Sequence, residues 1–422
     1  MSSDLAEMLD AQFARCCECQ RPIRGVRTWL DGFPCHYECA RLATAQPHVI
    51  FGSRANRSTS IAFVLTAEQQ AARKAIDEAI KQNRHFAVHG LAGTGKTTLA
   101  ADVARALPGD AFLCAPTAKA ASVLTQKTGV AASTIHAAFY HFVREVERED
   151  RPPRLVFRPA HARGSLRGKV LLLDEVSMVT RDVAADIIAT GITIVAFGDP
   201  GQLPPIEGLP FSVSADFTLT EIHRQALESS IIRQAHAVRA TGCYGADGEA
   251  VRVLERLTAD DLRAADVVLT GRRTTRMRMN AEIRWALGIT QRLPLLGEPL
   301  VCLRNARRYG LCNGAIYWAS RDLQEGDATV GISTDTGDIE VHAEFLTPGR
   351  EYDKLDLPPG GWMTAFCFAY ALTVHMAQGS EWDKVLLIDE SAAFREDRTR
   401  WLYTAITRAK ERITIASKGA PV

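Results

Sequence analysis

The stretch from Phe86 to Thr98, FAVHGLAGTGKTT, decides how this chain is read. An apolar run leads into Gly90, and Gly90, Gly95, Lys96 and Thr97 satisfy the pattern G-x-x-x-x-G-K-[ST]. Glycines stand where a backbone must turn tightly and present its N–H groups to phosphate oxygens. The predicted cradle is the backbone of Gly93, Thr94, Gly95, Lys96, Thr97 and Thr98, with Lys96 placed for the β- and γ-phosphates and Thr97 for Mg²⁺. A helix is expected to start in the loop and run through Leu99 to Leu107, so that its positive end also faces the phosphates. The segment therefore predicts a nucleoside triphosphate site on an α/β fold.

Working outward, the same strand-then-helix grammar recurs in AFLCAPT, KVLLLDE and ITIVAFGD, which predicts a parallel sheet covered on both faces. A second series begins with VVLTGR at Val267 and resumes at Gly360 to Leu372, Lys384 to Asp389 and Arg412 to Ser417. Between them, EPLVCLRN, ATVGIST and DIEVHAEF alternate and are separated by turn residues, the pattern of a small antiparallel barrel. The expected units are a module and linker over 1–58, a first α/β unit over 59–215 with an insertion at about 137–168, a second over 216–294 and 358–422, and a barrel over 295–357.

The 422 residues, 46% hydrophobic and 23% charged, can bury several cores. No apolar run is long enough to span a bilayer, and the N-terminus lacks a secretion pattern, so a cytoplasmic location without a membrane partner is expected. Formal net charge is only +1, so nucleic acid would have to be held in a local groove. Arg154 to Lys169 carries five basic residues and no acid, and Arg272, Arg273, Arg276 and Arg278 form a second cluster. Each run alone is equally a solvated face.

In KVLLLDEVSM, Lys169 to Met178, a buried strand delivers two carboxylates to the sheet edge where ligands bind in open α/β folds. Asp174 is the candidate Mg²⁺ partner and Glu175 the candidate base for the attacking water. In IVAFGDPGQLPPI, Ile194 to Ile206, Gln202 is placed to sense the γ-phosphate from a proline-stiffened loop.

Taken in order, these motifs resemble superfamily 1B helicases of the RecD-like and phage Dda-like type, over about Leu65 to Ser417. The resemblance implies two RecA-like P-loop NTPase domains with an SH3-like barrel inserted in the second. LTAEQ looks like the adenine-recognition motif, with Gln69 on the base. APTAKAA and STIH resemble the motifs that hold single-stranded DNA phosphates, which makes Thr117, Lys119 and His136 candidate contacts. LTEIHRQ would supply Arg224 to the γ-phosphate, and LYTAITRAK would supply Arg408 as a second arginine finger. LTVHMAQGSEW would turn Thr373 and His375 to DNA and Gly379 and Glu381 to the nucleotide. The family also has a duplex-splitting hairpin, matched here by about Ala137 to Gly168, where Phe139 is a candidate stacking platform. Ala118 stands where glycine is frequent and Met376 where lysine is frequent.

The family core does not include the N-terminal module. Cys16-x2-Cys19, then sixteen residues, then His36-x2-Cys39 is a spacing that suits tetrahedral Zn²⁺ and resembles half of a LIM-type finger, with Cys17 and Cys35 as alternative ligands. Its Arg21, Arg24 and Arg27 beside Trp29 fit a DNA contact, docking of a replication or repair protein, or structural duty alone.

The resulting expectation is an ATP- and Mg²⁺-dependent helicase moving 5′ to 3′ on single-stranded DNA and opening ss/dsDNA junctions, its direction taken from the resemblance. A translocase subunit that needs a partner, an RNA helicase and a zinc-dependent adaptor with a nucleotide switch stay open as alternatives.

Overall fold

The computed structural model describes residues 65–417 apart from 108, 149–150, 206–207, 212–213, 223–227, 305, 307–308, 335–336 and 347–363. For 141–158, and for two strands nearer the N-terminus, only the backbone is described. Those two, β1 (Thr28–Leu30) and β2 (Phe33–Cys35), pair as an antiparallel hairpin. The expected zinc ligands Cys16, Cys19, His36 and Cys39 lie outside the described residues.

The first lobe starts with helix α1 (Ala67–Lys81), opened by a capping box in which Thr66 and Gln69 satisfy each other's backbone N–H groups. Its buried positions Gln69, Ala72, Ile76 and Ala79 follow the helical period and pack on the sheet. The strands that follow are β3 (Phe86–Gly90), β4 (Ala111–Ala115), β5 (Ser133–Thr134), β6 (Tyr140–Arg148), β7 (Arg151–Pro159), β8 (Val170–Leu173), β9 (Thr193–Gly198) and β10 (Phe217–Leu219). Six of them form a parallel sheet in the order β10, β3, β9, β8, β4, β5. Along β8, Val170 and Leu172 join the core containing Leu99 and Val103, while Leu171 and Leu173 join the one containing Ile135 and Ile187. Burial on both faces is why VLLL reads as a continuous apolar run. The strands β6 and β7 leave the sheet as an antiparallel hairpin within the stretch where an insertion was expected.

The second lobe is a parallel sheet of β11 (Val251–Leu254), β12 (Val267–Thr270), β18 (Ala371–Thr373), β19 (Trp382–Ile388) and β20 (Ala409–Ala416), in the order β11, β20, β19, β12, β18. Inserted between β12 and β18 is a closed barrel of β13 (Pro299–Cys302), β14 (Ile316–Ala319), β15 (Thr329–Thr334), β16 (Gly337–Phe345) and β17 (Thr364–Phe368).

Three expectations change. The strand β10, expected in the second lobe, pairs with β3 and completes the first sheet. The strand β17, expected in the second parallel sheet, closes the barrel against β13 and β16. All five of its residues are buried because Phe366 and Phe368 face the barrel core while Ala365 and Cys367 face the second lobe, so it reads like a central parallel strand. The barrel is also not wholly antiparallel, since β16 and β17 run parallel.

Candidate nucleotide site at the seam of the two lobes

The phosphate loop joins β3 to helix α2 (Lys96–Ala106). Gly93 and Gly95 have φ of 87° and 75°, the left-handed region in which a side chain is strained. A Cβ on Gly90 would lie 2.4 Å from Thr94 Oγ1, so this glycine is required by packing. The Thr94 side chain is buried and donates to the Leu91 carbonyl at 2.9 Å, which leaves its backbone as the part available to a phosphate. Lys96 Nζ donates to the carbonyls of Gly90 (2.7 Å) and Leu91 (3.0 Å) and lies 4.0 Å from Asp199 Oδ2.

The carboxylates stand where the sequence placed them, after β8. Asp174 Oδ1 accepts the Glu175 N–H at 2.9 Å, and Thr97 also hydrogen-bonds the Asp174 carboxyl. Glu175 has φ 53°, a strained value for a residue with a side chain, and it turns the chain into a short 3₁₀ segment, Val176–Met178. Burial, with Asp174 alongside, pushes the Glu175 carboxyl up to about 7 against the opposing pull of Arg408 and Lys96. Asp174 is also raised, by burial first, partly offset by the Glu175 N–H, Lys96 and Lys127. Two close carboxyls that resist ionisation beside a threonine hydroxyl favour a divalent cation, so Thr97 and Asp174 fit the expected Mg²⁺.

These groups line a cleft of about 800 Å³ whose other wall belongs to the second lobe. Arg408 reaches it from the end of helix α9 (Arg398–Ile406) and is buried, donating to Thr404 O (3.0 Å), Ser380 O (3.2 Å) and Thr407 Oγ1 (3.1 Å). Gln202 lines the same cleft, its Oε1 buried without a hydrogen-bond partner among the described residues, an acceptor that a water or phosphate-bound group would satisfy. Gly379, at φ 72°, stands where the lobes touch: a Cβ there would lie 2.8 Å from Ala120 Cβ. Glu381 meets Lys127 across the seam at 3.4 Å. Burial would raise its carboxyl, but Lys127 and Arg408 outweigh that and hold it below the usual range.

Not every candidate sits as expected. Gln69 lines the cleft, yet its Nε2 donates to the carbonyls of Thr94 and Gly95, both at 3.3 Å, and its Oε1 accepts the Thr66 N–H, so it braces the loop. Lys119 stacks over the Trp382 ring at 4.3 Å across the seam, and burial together with Lys410 and Arg408 pushes its ammonium down to about 8. Phe139 is a correction: it is 3% exposed and packs on Phe112 and His161, so its ring belongs to the core and presents no face to a base. His136 is exposed and stacks on Tyr140. Thr117 caps helix α3 (Ala118–Thr128), and Thr373 Oγ1 accepts the Met376 N–H at 3.3 Å. His375 leans on Phe394, and burial lowers its pKa. Arg224 lies outside the described residues.

The sequence reading passed over Lys127, Asp199 and Tyr403. Asp199 stood in the quoted GDPGQ loop beside Gln202 and was legible there. Lys127 and Tyr403 carry no local signal, because their role depends on which residues the second lobe brings opposite them.

Residues 64–261 match the AAA domain model, and residues 368–416 match the UvrD-like helicase C-terminal domain. The chain is 28% identical over 379 residues to the ATP-dependent RecD2 DNA helicase of Deinococcus radiodurans, a match that covers 84% of this chain and 49% of that protein. It is 33% identical over 178 residues to the ATP-dependent DNA helicase dda of Enterobacteria phage T4, covering 38% of this chain and 39% of the relative. The chain thus spans about half the length of the first relative and less of the second. In fold it is similar to Bacteroides Pif1 bound to ssDNA, with TM-score 0.54 and 18% identity over 84% of this chain and 92% of that one. Two Pif1 helicases at forked dsDNA give 0.54 at 19% identity over the same shares. With the loop, the carboxylates and the far-wall arginine set in motif order around one cleft, the chain resembles the superfamily 1B helicases of the RecD-like and Dda-like type.

Proposed function

We propose that this chain is an ATP-driven DNA helicase motor that moves 5′ to 3′ along single-stranded DNA and opens duplex at junctions. The observation that carries the proposal is that Arg408 of the second lobe and Glu175 of the first line one cleft with the phosphate loop. Neither lobe alone makes a complete site. Bound Mg²⁺, held by Thr97 and Asp174, would neutralise phosphate charge. Lys96 exchanges its loop carbonyls for phosphate oxygens, Glu175 takes the proton of the attacking water, and Gln202 orients that water. Arg408, with Arg224 proposed beside it, stabilises charge in the transition state and draws the lobes together. Once hydrolysis removes that charge the cleft relaxes, and alternating grip on the DNA backbone by Thr117, His136, Thr373 and His375 converts the cycle into steps. The barrel is taken as SH3-like and as holding the β6–β7 hairpin toward the junction.

Strand displacement on duplexes with a 5′ or a 3′ tail tests this, with Lys96→Ala as the inactive control. Displacement of the 5′-tailed substrate alone is expected. Displacement of only the 3′-tailed one rejects the direction, and equal stimulation of hydrolysis by RNA rejects the choice of DNA. For the N-terminal segment, Zn²⁺ on Cys16, Cys19, His36 and Cys39 is proposed from their spacing, with DNA or a replication or repair protein as its contact. One zinc per chain by elemental analysis, lost in Cys16→Ser with Cys19→Ser, is the expected result.

A further inference from the structure

Tyr403 lies in helix α9, five residues before the cleft arginine, and its ring is fully buried. A buried tyrosine hydroxyl requires a partner, and one acceptor in its own lobe would suffice. Here both partners belong to the other lobe. The hydroxyl accepts the N–H of Ala92, inside the phosphate loop, at 2.8 Å, and donates to Asp199 Oδ2 at 2.7 Å. Asp199 is 2% exposed, its Oδ1 accepts the Gly201 N–H at 2.9 Å, and its Oδ2 is the atom 4.0 Å from Lys96 Nζ. A continuous polar path therefore runs from the second lobe through a hydroxyl and a carboxylate to the phosphate-binding ammonium.

The surroundings fix this path. A Cβ on Gly201 would lie 2.9 Å from Tyr403 Cε1, so only glycine lets the ring reach the loop. Leu203, four residues past Asp199, is held on both backbone groups by the second lobe: its N–H by Thr404 Oγ1 at 3.1 Å and its carbonyl by Gln378 Nε2 at 3.2 Å. His236, from helix α6 (Ser230–Thr241), hydrogen-bonds the backbone of Ala92 as well. Tyr403 and Thr404 share one rigid helix with the approach to Arg408, so displacement of that helix moves the arginine and the ties together.

We infer that Tyr403 is a positioning residue whose hydroxyl links closure of the second lobe to the phosphate loop and, through Asp199, sets where the Lys96 ammonium stands. The inference rests on the proposed ATPase reading. A hydroxyl on a carboxylate is a charge-assisted bond, and a carboxylate shared between that hydroxyl and an ammonium transmits the displacement of one to the other. The link acts on the geometry of the chemical step more than on nucleotide capture, because the rest of the cradle stays in place.

The test uses the full chain and Tyr403→Phe, which keeps the buried ring and removes only the hydroxyl. With saturating single-stranded DNA, kcat for ATP is expected to fall roughly ten-fold or more, while KM stays within about two-fold. Asp199→Asn is expected to lower kcat as well, and the double variant to be no slower than Asp199→Asn alone, since both break one path. An unchanged kcat in Tyr403→Phe, or losses that multiply in the double variant, overturns the link. If the unsubstituted chain hydrolyses no ATP with DNA, the ATPase reading fails. The link is then judged on thermal unfolding of the same three variants: non-additive losses sustain it and additive losses overturn it.

Discussion

The second lobe has two neighbours and joins them by opposite means. To the barrel it is welded. Arg284 of helix α8 (Arg273–Ala286) makes a two-pronged pair with Glu298 at the barrel's start, at 2.7 and 3.0 Å, with both side chains under 10% exposed. The remaining donors of Arg284 reach Gln291 O and Leu293 O, its guanidinium stacks on Phe368, and Glu298 also accepts from Tyr370 and the Leu295 N–H. To the first lobe the ties are dispersed: neutral hydrogen bonds between Tyr403 and Ala92 and from Thr404 and Gln378 to Leu203, the Tyr403 hydroxyl on Asp199, Lys119 on Trp382, and the exposed pair Glu381–Lys127. Neutral hydrogen bonds contribute about 1 kcal/mol each, so a handful can be remade in every cycle. A buried, saturated ion pair cannot open without leaving a charge stranded. In the proposed cycle, motion is therefore directed to the nucleotide seam, and the barrel travels with the second lobe.

The comparison breaks most severely if the seam is not where chemistry occurs. Glu175→Gln keeps the shape of the site and removes the base, and is expected to lower DNA-stimulated ATP hydrolysis about 10³-fold while the melting temperature changes little. Hydrolysis that survives this change puts the base elsewhere.

On the welded side, Glu298→Ala strands Arg284 in the interior and is expected to destabilise the chain by about 3 kcal/mol or more. Denaturant unfolding reads the loss, and nucleotide affinity measured below the transition should be unaltered. A variant as stable as the parent would show that the junction is no weld.

The seam has a steric counterpart. Gly379→Ala adds a Cβ at φ 72° and 2.8 Å from Ala120 Cβ of the first lobe, which forces the lobes apart. Strain of about 1–2 kcal/mol is expected in unfolding, with a larger proportional loss in kcat. A variant with full kcat would mean that the lobes do not close onto this contact.

The contrast between the two junctions also marks how far the sequence could be read. The phosphate loop, the Asp174–Glu175 pair and Gln202 were legible because each sits in one contiguous motif whose residue types follow from local chemistry. The alternation of strand and helix marked the existence of two parallel sheets for the same reason, while the placement of β10 and β17 needed the pairing itself. What escaped depends on contacts between distant segments. Phe366 and Phe368 look like any buried strand until the barrel is seen to close around them. An aromatic at the spacing of Phe139 is more often core than a stacking ring, and the packing on Phe112 and His161 decides for core. Tyr403 is an apolar-face residue of a helix until Asp199 and Ala92 are brought to its hydroxyl from the other lobe.

The finest probe of the seam is the charge on Lys119. Burial, with Lys410 and Arg408 nearby, lowers its ammonium from 10.5 to about 8. Below about pH 8 the lysine is charged in the folded and the unfolded chain alike, and stability does not respond to it. Between about 8 and 10.5 the unfolded chain keeps a proton that the fold has released, so stability rises with pH across that window. Lys119→Met fills much of the same space without titrating. The stability of the unsubstituted chain relative to this variant is therefore expected to climb by about 1–2 kcal/mol from pH 8 to 10 in denaturant unfolding. A flat difference across that range would mean that the ammonium faces solvent and is free to meet a DNA phosphate, and that the seam is looser at this point than the Trp382 contact indicates.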